Sequence, residues 1–167
     1  EGPDGSLYVT MEATSSVARI DPSGRIELAV GGGSEAGESV PARRASLLVP
    51  RGLAVGPDGA LFIAEQGRNR VRRVDPSGLV TTLAGSGDAG SAGDGGPAAS
   101  ATFRGPTALA VDPDGVVYVS DQGNLRIRRV DRGRVQAYAD PKGPAVGETT
   151  FLVEDYVPER MEVELTP

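Results

Sequence analysis

The sequence contains neither histidine nor cysteine among its 167 residues. Without histidine it lacks the most common general base, the imidazole of serine and cysteine catalytic triads, and every His-ligated metal site. Without cysteine it lacks disulfides, thiol chemistry and thiolate metal sites. No apolar run approaches the roughly 18 residues that a membrane-spanning helix needs, so we expect no membrane span. Because residue 1 is Glu and not Met, we expect a fragment or a processed chain.

Aromatic residues are also scarce, at 4%, and hydrophobic residues make up 38%, which allows one modest core. Turn-forming residues are abundant instead, with 24 Gly and 13 Pro. The formal net charge is −6, and residues 1–140 carry 15 basic and 17 acidic side chains. A net-negative chain binds phosphate backbones poorly, which argues against a nucleic acid as the partner.

The clearest internal pattern is a segment that occurs three times. A Pro-Asp-Gly turn followed by apolar and aromatic residues lies at 2–9, and it recurs at 56–63 and 112–119. A second segment recurs at the same offsets, at 17–24, 71–78 and 127–133. Self-similarity at such spacing is the signature of a repeat architecture. The chain therefore divides into units of about 1–50, 51–106 and 107–140.

Each unit is predicted to contain four short strands, which we call a to d. Pro and Gly in the Pro-Asp-Gly segments favour tight turns between strands a and b. In the first unit strand a would lie before residue 1. Repeated four-stranded antiparallel units are typical of β-propeller blades, so the sequence predicts an all-β, partial propeller of about three blades. The predicted strands of the complete units are 51–55, 60–64, 70–75, 79–84, 107–111, 116–120, 126–131 and 134–138.

Three segments resemble the NHL-repeat family. Residues 71–85 are similar to the strand–turn–strand core of an NHL repeat, and residues 93–106 to the long inter-blade loop of bacterial and teneurin-type NHL domains. Residues 121–127 contain the Asn-x-Arg-Ile pattern, with Leu125 where the family usually has histidine. The first unit departs from the pattern at 11–16. The resemblance implies a propeller built from NHL blades, often six.

Three blades leave two uncovered faces, because each blade of a propeller packs against two neighbours. We therefore expect missing blades, a partner or self-association to cover them. Residues 141–167 do not fit the repeat and are predicted to form a β extension. Within them, 149–165 resembles the junction between macroglobulin-type domains of bacterial alpha-2-macroglobulins; a hairpin that covers an open propeller edge is the alternative. These resemblances imply a periplasmic or secreted location.

The candidate ligand-binding residues belong to one face of the propeller. In an antiparallel blade the b–c turn and the loop to the next blade emerge on the same side, and long propeller loops often carry function. Ion pairs between blades are the alternative role for the charged members, together with Asp75 and Asp131. The candidates are Glu65, Gln66, Arg68, Arg70, Arg104, Asp121, Gln122, Asn124 and Arg126.

Metal and phosphate sites are poorly supported by the sequence. Residues 112–115 form a two-residue turn rather than a calcium loop, which needs a longer series of oxygen ligands. The Gly-rich run 85–96 lacks the Gly-Lys-Ser/Thr ending of a phosphate-binding loop. Asp88 and Asp94 are weak candidates for a cation site, and no cofactor is expected.

The function favoured by the sequence is a non-catalytic interaction module that presents its loop face to a protein, peptide or glycan. A lyase or lactonase on a related propeller is one alternative, but lyases of that kind generally use histidine, and the inner strands 53–55 and 109–111 carry no acid for a lactonase channel. RNA binding, known for some NHL propellers, and an accessory region of an alpha-2-macroglobulin-like envelope protein are the others.

Overall fold

The computed structural model describes residues 1–139, and these form three antiparallel sheets that are three propeller blades. The predicted β tail over 141–167, with its macroglobulin-like segment, lies outside the described residues. Within 1–139 no helix is long and apolar enough to cross a membrane. The strands are β1 (Leu7–Met11), β2 (Ser16–Ile20), β3 (Ile26–Gly31), β4 (Val40–Pro41), β5 (Pro50–Val55), β6 (Leu61–Glu65), β7 (Arg70–Val74), β8 (Leu79–Ala84), β9 (Pro106–Val111), β10 (Val117–Asp121), β11 (Arg126–Asp131) and β12 (Arg134–Ala139).

The strand order of each blade follows the chain, as the repeat predicts. Blade 1 contains β1-β2-β3, blade 2 contains β5-β6-β7-β8 and blade 3 contains β9-β10-β11-β12, with every neighbouring pair antiparallel. The strands of blades 2 and 3 begin and end within one residue of their predicted positions. The all-β partial propeller is therefore confirmed.

An Asp side chain stabilises each a–b turn: the Asp of the Pro-Asp-Gly segment in blades 1 and 2, and Asp112, just before that segment, in blade 3. In blade 2, Asp58 Oδ1 accepts a hydrogen bond from the Ala60 amide at 3.0 Å, and the Gly59 amide donates to the Gly56 carbonyl at 2.9 Å. Gly59 adopts a φ of 78°, in the left-handed region that an L side chain rarely occupies. This local chemistry fixes the turn and therefore the register of strands a and b.

Two apolar layers between the blades form the core. Since side chains alternate across a strand, blade 2 buries one set of side chains against blade 1 and the other set against blade 3. Between blades 1 and 2 the layer contains Val17, Val30, Leu61, Ile63, Val74 and Val80. Between blades 2 and 3 it contains Phe62, Val71, Ala84, Phe103, Val117, Val119, Val130 and Val135.

The long loops after blades 1 and 2 also pair with the outer strand of the next blade, which the sequence did not reveal. The loop after blade 1 carries β4, which pairs with β8 and gives the sheet of blade 2 a fifth strand. In the same way Pro97, in the loop after blade 2, forms a bridge with Arg134 of β12. Each loop thus crosses to the outer edge of the next blade, where strand d would otherwise leave its backbone groups unpaired.

Short 3₁₀ turns are the only helical elements among residues 1–139. Three of them form the b–c turns, Glu12–Thr14, Gln66–Arg68 and Gln122–Asn124, and two lie in the long loops, Ala42–Arg44 and Ala98–Ser100. Their three-residue length explains why no helical periodicity marks them in the sequence.

Candidate functional site

One face of the propeller, which we call the loop face, is formed where the b–c turns meet the long loops. Its residues are 12–14, 66–68 and 122–124 with the loop segments 46–51 and 102–107. The Gly67 amide donates to the Leu48 carbonyl at 3.1 Å, and the Gly123 amide to the Arg104 carbonyl at 2.8 Å. A Cβ at Gly67 or Gly123 would lie within 3 Å of these carbonyl oxygens, so only glycine permits this approach.

Glu65, at the end of β6, is the centre of the loop face in blade 2. Its side chain is fully buried and accepts three hydrogen bonds. Oε1 accepts from the Leu48 amide at 2.9 Å and from Arg68 at 2.6 Å, and Oε2 accepts from Arg70 Nε at 2.6 Å. A buried carboxylate must be paired in this way to offset its lost hydration. Glu65 therefore ties the long loop to the b–c turn and to β7.

Asp121 repeats this arrangement in blade 3, 56 positions later. It is also fully buried, and its Oδ1 accepts from the Arg104 amide at 2.8 Å. Its Oδ2 accepts from Asn124 Nδ2 at 2.8 Å and from Arg126 Nε at 3.5 Å. The two carboxylates thus hold the same three structural elements, and the binding pattern is itself part of the repeat.

A second pair of contacts, which we call the loop clips, joins each long loop to the next blade. Arg72, almost fully buried, donates to the Gly37 carbonyl at 2.8 Å and pairs with Glu38 at 3.3 Å. Its counterpart Arg128 pairs with Asp94 at 2.9 Å and lies over the Phe103 ring, 4.6 Å from its centroid.

The electrostatics of the clips are dominated by burial. Burial lowers the pKa of both Arg72 and Arg128, and the neighbouring Arg70 and Arg126 act in the same direction, while Glu38 and Asp94 oppose it. An arginine side chain stays protonated in proteins even so. Each clip therefore places a buried cation opposite a loop carboxylate, so the loop is held by an interaction that is costly to break.

The candidate carboxylates form their ion pairs within a blade, not between blades. The pairs of Glu65 with Arg68 and Arg70 lie within blade 2, and Asp131 pairs with Arg129 on its own strand. The pairs that reach across a blade junction are the loop clips and the pair of Arg51 with Glu12. The arginines of the loop clips, Arg72 and Arg128, were not among the predicted candidates. A signal was present in the sequence, because side chains alternate along a strand and one Arg of each pair at 72–73 and 128–129 must therefore point into an inter-blade layer.

The predicted ligand residues fall into three groups by exposure. Glu65 and Asp121 are fully buried and are therefore occupied by structural contacts. Arg68, Arg70, Asn124 and Arg126 are half-buried and bonded to these carboxylates. Gln66 is also half-buried and accepts a hydrogen bond from Arg51, and the exposed members are Arg104 and Gln122.

One accessible residue of the loop face was missed by the sequence reasoning. Arg51, at the start of strand a in blade 2, is exposed and pairs with Glu12 at 2.8 Å. Its Nε also donates to Gln66 Oε1 at 3.3 Å. The pairs link the b–c turns of blades 1 and 2, which lie more than fifty residues apart in the chain. No local pattern distinguishes this Arg from the other fifteen in the sequence.

The candidate cation ligands do not converge. Asp94 is engaged by Arg126 at 2.9 Å and by Arg128, whereas Asp88 is exposed in the same loop. Among residues 1–139 no group of three or more acidic side chains is arranged to hold a metal ion. An arginine-paired carboxylate has little capacity left for a cation.

Comparisons with known proteins agree with this geometry. The family model described as Teneurin NHL domain matches residues 88–131. Human Teneurin-1 is 39% identical over 98 residues, which is 50% of this chain and 4% of the relative. Teneurin-m of Drosophila melanogaster is 34% identical over 145 residues, which is 76% of this chain and 5% of the relative. The chain thus matches only a small part of these long proteins.

Solved structures share the fold. A protein of unknown function from Bacteroides thetaiotaomicron aligns with a TM-score of 0.68 and 26% identity, covering 80% of this chain and 33% of the other. Virginiamycin B lyase from Staphylococcus aureus aligns with a TM-score of 0.57 and 20% identity, covering 84% and 40%. The repeated antiparallel sheets show that the described residues form propeller blades, and the sequence matches show that these blades are similar to the NHL domain of teneurins.

Proposed function

We propose that these blades form a non-catalytic interaction module whose loop face binds a protein, peptide or glycan partner. The observation that carries the proposal is the pair of fully buried carboxylates, Glu65 and Asp121, which hold the loops of this face in place. Binding surfaces gain affinity when their groups are held in position before the partner arrives, because less conformational entropy is then lost.

The accessible side chains of the loop face suit polar recognition. The exposed Arg51, Arg104 and Gln122, with the half-buried Gln66 beside them, offer guanidinium and amide donors on a rigid base. Guanidinium groups bind carboxylates in two-point contacts, and amides pair with peptide groups and sugar hydroxyls. Exposed glutamine and arginine side chains on well-held turns are suited to peptide carboxylates or to the hydroxyl and carboxyl groups of a glycan.

The same carboxylates argue against a catalytic role. A general acid or base must reach the proton it transfers, but both oxygens of Glu65 and of Asp121 already accept hydrogen bonds from the protein. Residues 1–139 also offer no clustered metal ligands and no histidine. A reaction on the loop face would therefore need catalytic groups other than Glu65 and Asp121.

The proposal is tested by selecting ligands on the loop face. The immobilised 167-residue chain is probed with a random-peptide library and a glycan array, beside the variants Arg51→Gln with Arg104→Gln and, as control, Arg132→Gln. Arg132 is almost fully exposed, in the c–d turn of blade 3, on the opposite face. We expect ligands that bind the parent chain and the control, and that bind the loop-face variant at least tenfold more weakly.

Two results would overturn the proposal. The first is a set of ligands that bind all three proteins equally, since the loop face would then be irrelevant. The second is turnover by the dialysed chain with added divalent metal, since the propeller would then be an enzyme. The compounds to test are quinupristin, present in the structure of virginiamycin B lyase, and gluconolactone, because a solved propeller of similar fold is described as a putative gluconolactonase.

A further inference from the structure

The loop clip of blade 2 contains two buried guanidinium nitrogens without a hydrogen-bond partner. Among residues 1–139, Arg70 Nη2 and Arg72 Nε are buried and donate to no acceptor. The side chains of Arg70 and Arg72 are 13% and 2% exposed. Leaving a buried donor of a charged group unpaired costs its full desolvation penalty, so the two nitrogens indicate an acceptor that the described residues do not provide.

The equivalent site in blade 3 shows which kind of acceptor fits there. Arg126 and Arg128 lie 56 positions after Arg70 and Arg72, and one carboxylate joins them. Asp94 Oδ2 accepts from Arg126 Nη1 at 2.9 Å, and Asp94 Oδ1 accepts from Arg128 Nε at 3.0 Å. Residues two apart on a strand lie on the same side of the sheet, so the two arginines of each blade share one side. In blade 3 that side holds a negative charge between them.

Glu38 has the position of Asp94 in the loop after blade 1, but its carboxylate binds elsewhere. Its Oε1 accepts from Thr82 Oγ1 at 2.6 Å, and its Oε2 accepts from the Thr82 amide at 2.6 Å. Its contact with Arg72 is to Nη1, at 3.3 Å. The carboxylate of Glu38 therefore does not join the two arginines of blade 2 in the way that Asp94 joins those of blade 3.

Two differences in residue type explain this difference between the blades. Glu is one methylene longer than Asp, so its carboxylate reaches strand d of blade 2. There it meets a hydroxyl, because the residue that pairs with Arg72 across the sheet is Thr82, whereas Ala137 pairs with Arg128. The site in blade 2 thus keeps both arginines and lacks a carboxylate between them.

The charges near Arg72 are also unbalanced. Among the described residues, those that act most strongly on it give three arginines against two carboxylates, namely Arg68, Arg70 and Arg72 against Glu38 and Glu65. Around Arg128 the charges are balanced, since Asn124 stands where blade 2 has Arg68, and Arg126 and Arg128 face Asp94 and Asp121. Like charges repel strongly in a buried site, so a negative ion near Arg72 is favoured.

We propose that Arg70 and Arg72 bind a monovalent anion of the size of chloride, at the place that the Asp94 carboxylate takes in blade 3. The anion accepts hydrogen bonds from Arg70 Nη2 and Arg72 Nε and balances the additional positive charge. A single-atom ion fits best, because both nitrogens are buried and a larger ion such as phosphate would displace more of the side chains that cover them. The bound ion stabilises the loop clip and therefore the junction of blades 1 and 2.

The first experiment measures the Tm of the 167-residue chain in sodium chloride and in sodium gluconate at equal ionic strength. An ion that binds only the folded chain, with a dissociation constant of about 10 mM, raises Tm by about 3–7 °C when present at about 0.2 M. The quantity compared between proteins is the Tm in chloride minus the Tm in gluconate, which we call the chloride effect.

The clip variant, Glu38→Asp with Thr82→Ala, gives blade 2 the residue types of blade 3. Its shorter carboxylate no longer has a hydroxyl to bind and should join Arg70 and Arg72, as Asp94 joins their counterparts. We therefore expect the chloride effect of the clip variant to be smaller than that of the parent chain by about 3–7 °C. A clip variant with the same chloride effect as the parent chain overturns the proposal.

The control variant, Glu27→Asp with Thr81→Ala, makes the same two substitutions at a surface ion pair and at the neighbouring residue of β8. Glu27 pairs with Arg19 at 3.0 Å and with Arg43 at 3.2 Å, outside the loop clips. We expect the control variant to keep the chloride effect of the parent chain, because general effects of the two salts act on all three proteins alike. An equal loss in both variants would place the effect outside the proposed site and overturn the proposal.

The second experiment locates the ion and does not depend on the folding of a variant. Crystals of the parent chain grown in sodium bromide are expected to show an anomalous bromine peak within about 3.5 Å of Arg70 Nη2 and of Arg72 Nε. A water molecule at the two nitrogens would give density without an anomalous signal. That result, or no density between the two arginines, would show that they bind no anion and would overturn the proposal.

Discussion

The buried carboxylate of Glu65 allows a sharp test of how the loop face is held together. Glu65→Gln keeps the shape of the side chain but removes its charge and replaces one acceptor oxygen by an NH₂ group. Three donors converge on the carboxylate, from Leu48, Arg68 and Arg70. Since the NH₂ group occupies one of the two oxygen positions, at least one of these donors loses its acceptor.

The expected cost follows from burial. Breaking a buried ion pair by removing one partner costs about 3–5 kcal/mol. The side chains of Arg68 and Arg70 are 29% and 13% exposed, so they recover some hydration, and we expect the lower end, about 3 kcal/mol. For a chain of this size such a loss lowers Tm by about 6–12 °C.

The matched control is Glu12→Gln, the same substitution at a carboxylate that pairs with Arg51 on the surface. Both side chains of that pair are nearly half exposed, so we expect a loss below about 1 kcal/mol. Urea unfolding of the 167-residue chain measures both values, and hydrogen exchange at the Leu48 amide should become faster only in Glu65→Gln. Equal losses in the two variants would refute the assignment of Glu65 as the centre of the loop face.

Three further outcomes are expected. Phe103→Ala should lower the free energy of unfolding by about 3–5 kcal/mol in urea titrations, because the ring is fully buried between blades 2 and 3. Gly33→Ala should lower Tm by several degrees in thermal unfolding, since its Cβ would collide with the Arg44 carbonyl oxygen. Burial raises the pKa of Glu38, but hydrogen bonds from Thr82 outweigh it and hold the pKa below its usual 4.5. The stabilisation that the Glu38 carboxylate provides is therefore present above its unfolded-state pKa and is lost as pH falls through the lower folded-state value. We expect proteolysis of the loop that carries Glu38 to accelerate below about pH 4. Glu38→Gln should remove that pH dependence.

Several features of this protein could be predicted from the sequence because they depend on neighbouring residues. The Pro-Asp-Gly segments fix tight turns through one Asp side chain and one glycine with positive φ. The alternation of apolar residues then defines strands such as β6 and β10. Recurrence of both patterns at nearly constant spacing predicts blades, and the structure reproduces those strands within one residue.

Only part of the candidate site could be predicted from the sequence in the same way. The chain order of turns and loops predicts which of them share the loop face, but not which of its charged groups are buried. Glu65 and Arg104 look equally available in the sequence, yet one is fully buried and the other exposed. That difference arises because the long loop packs over Glu65, and the amide of Leu48, seventeen residues earlier in the chain, donates a hydrogen bond to the Glu65 carboxylate.

Local order in this chain, its turns, strands and repeat, was determined by the sequence alone, since each of these features rests on contacts within a few residues. Tertiary structure alone decided the crossing of each long loop to the next blade and the pairing of Arg72 with Glu38, thirty-four residues away. The physical reason is that burial sets the free energy of a charged group. Whether an arginine or glutamate binds a ligand or holds the fold depends on which distant residues exclude water from it.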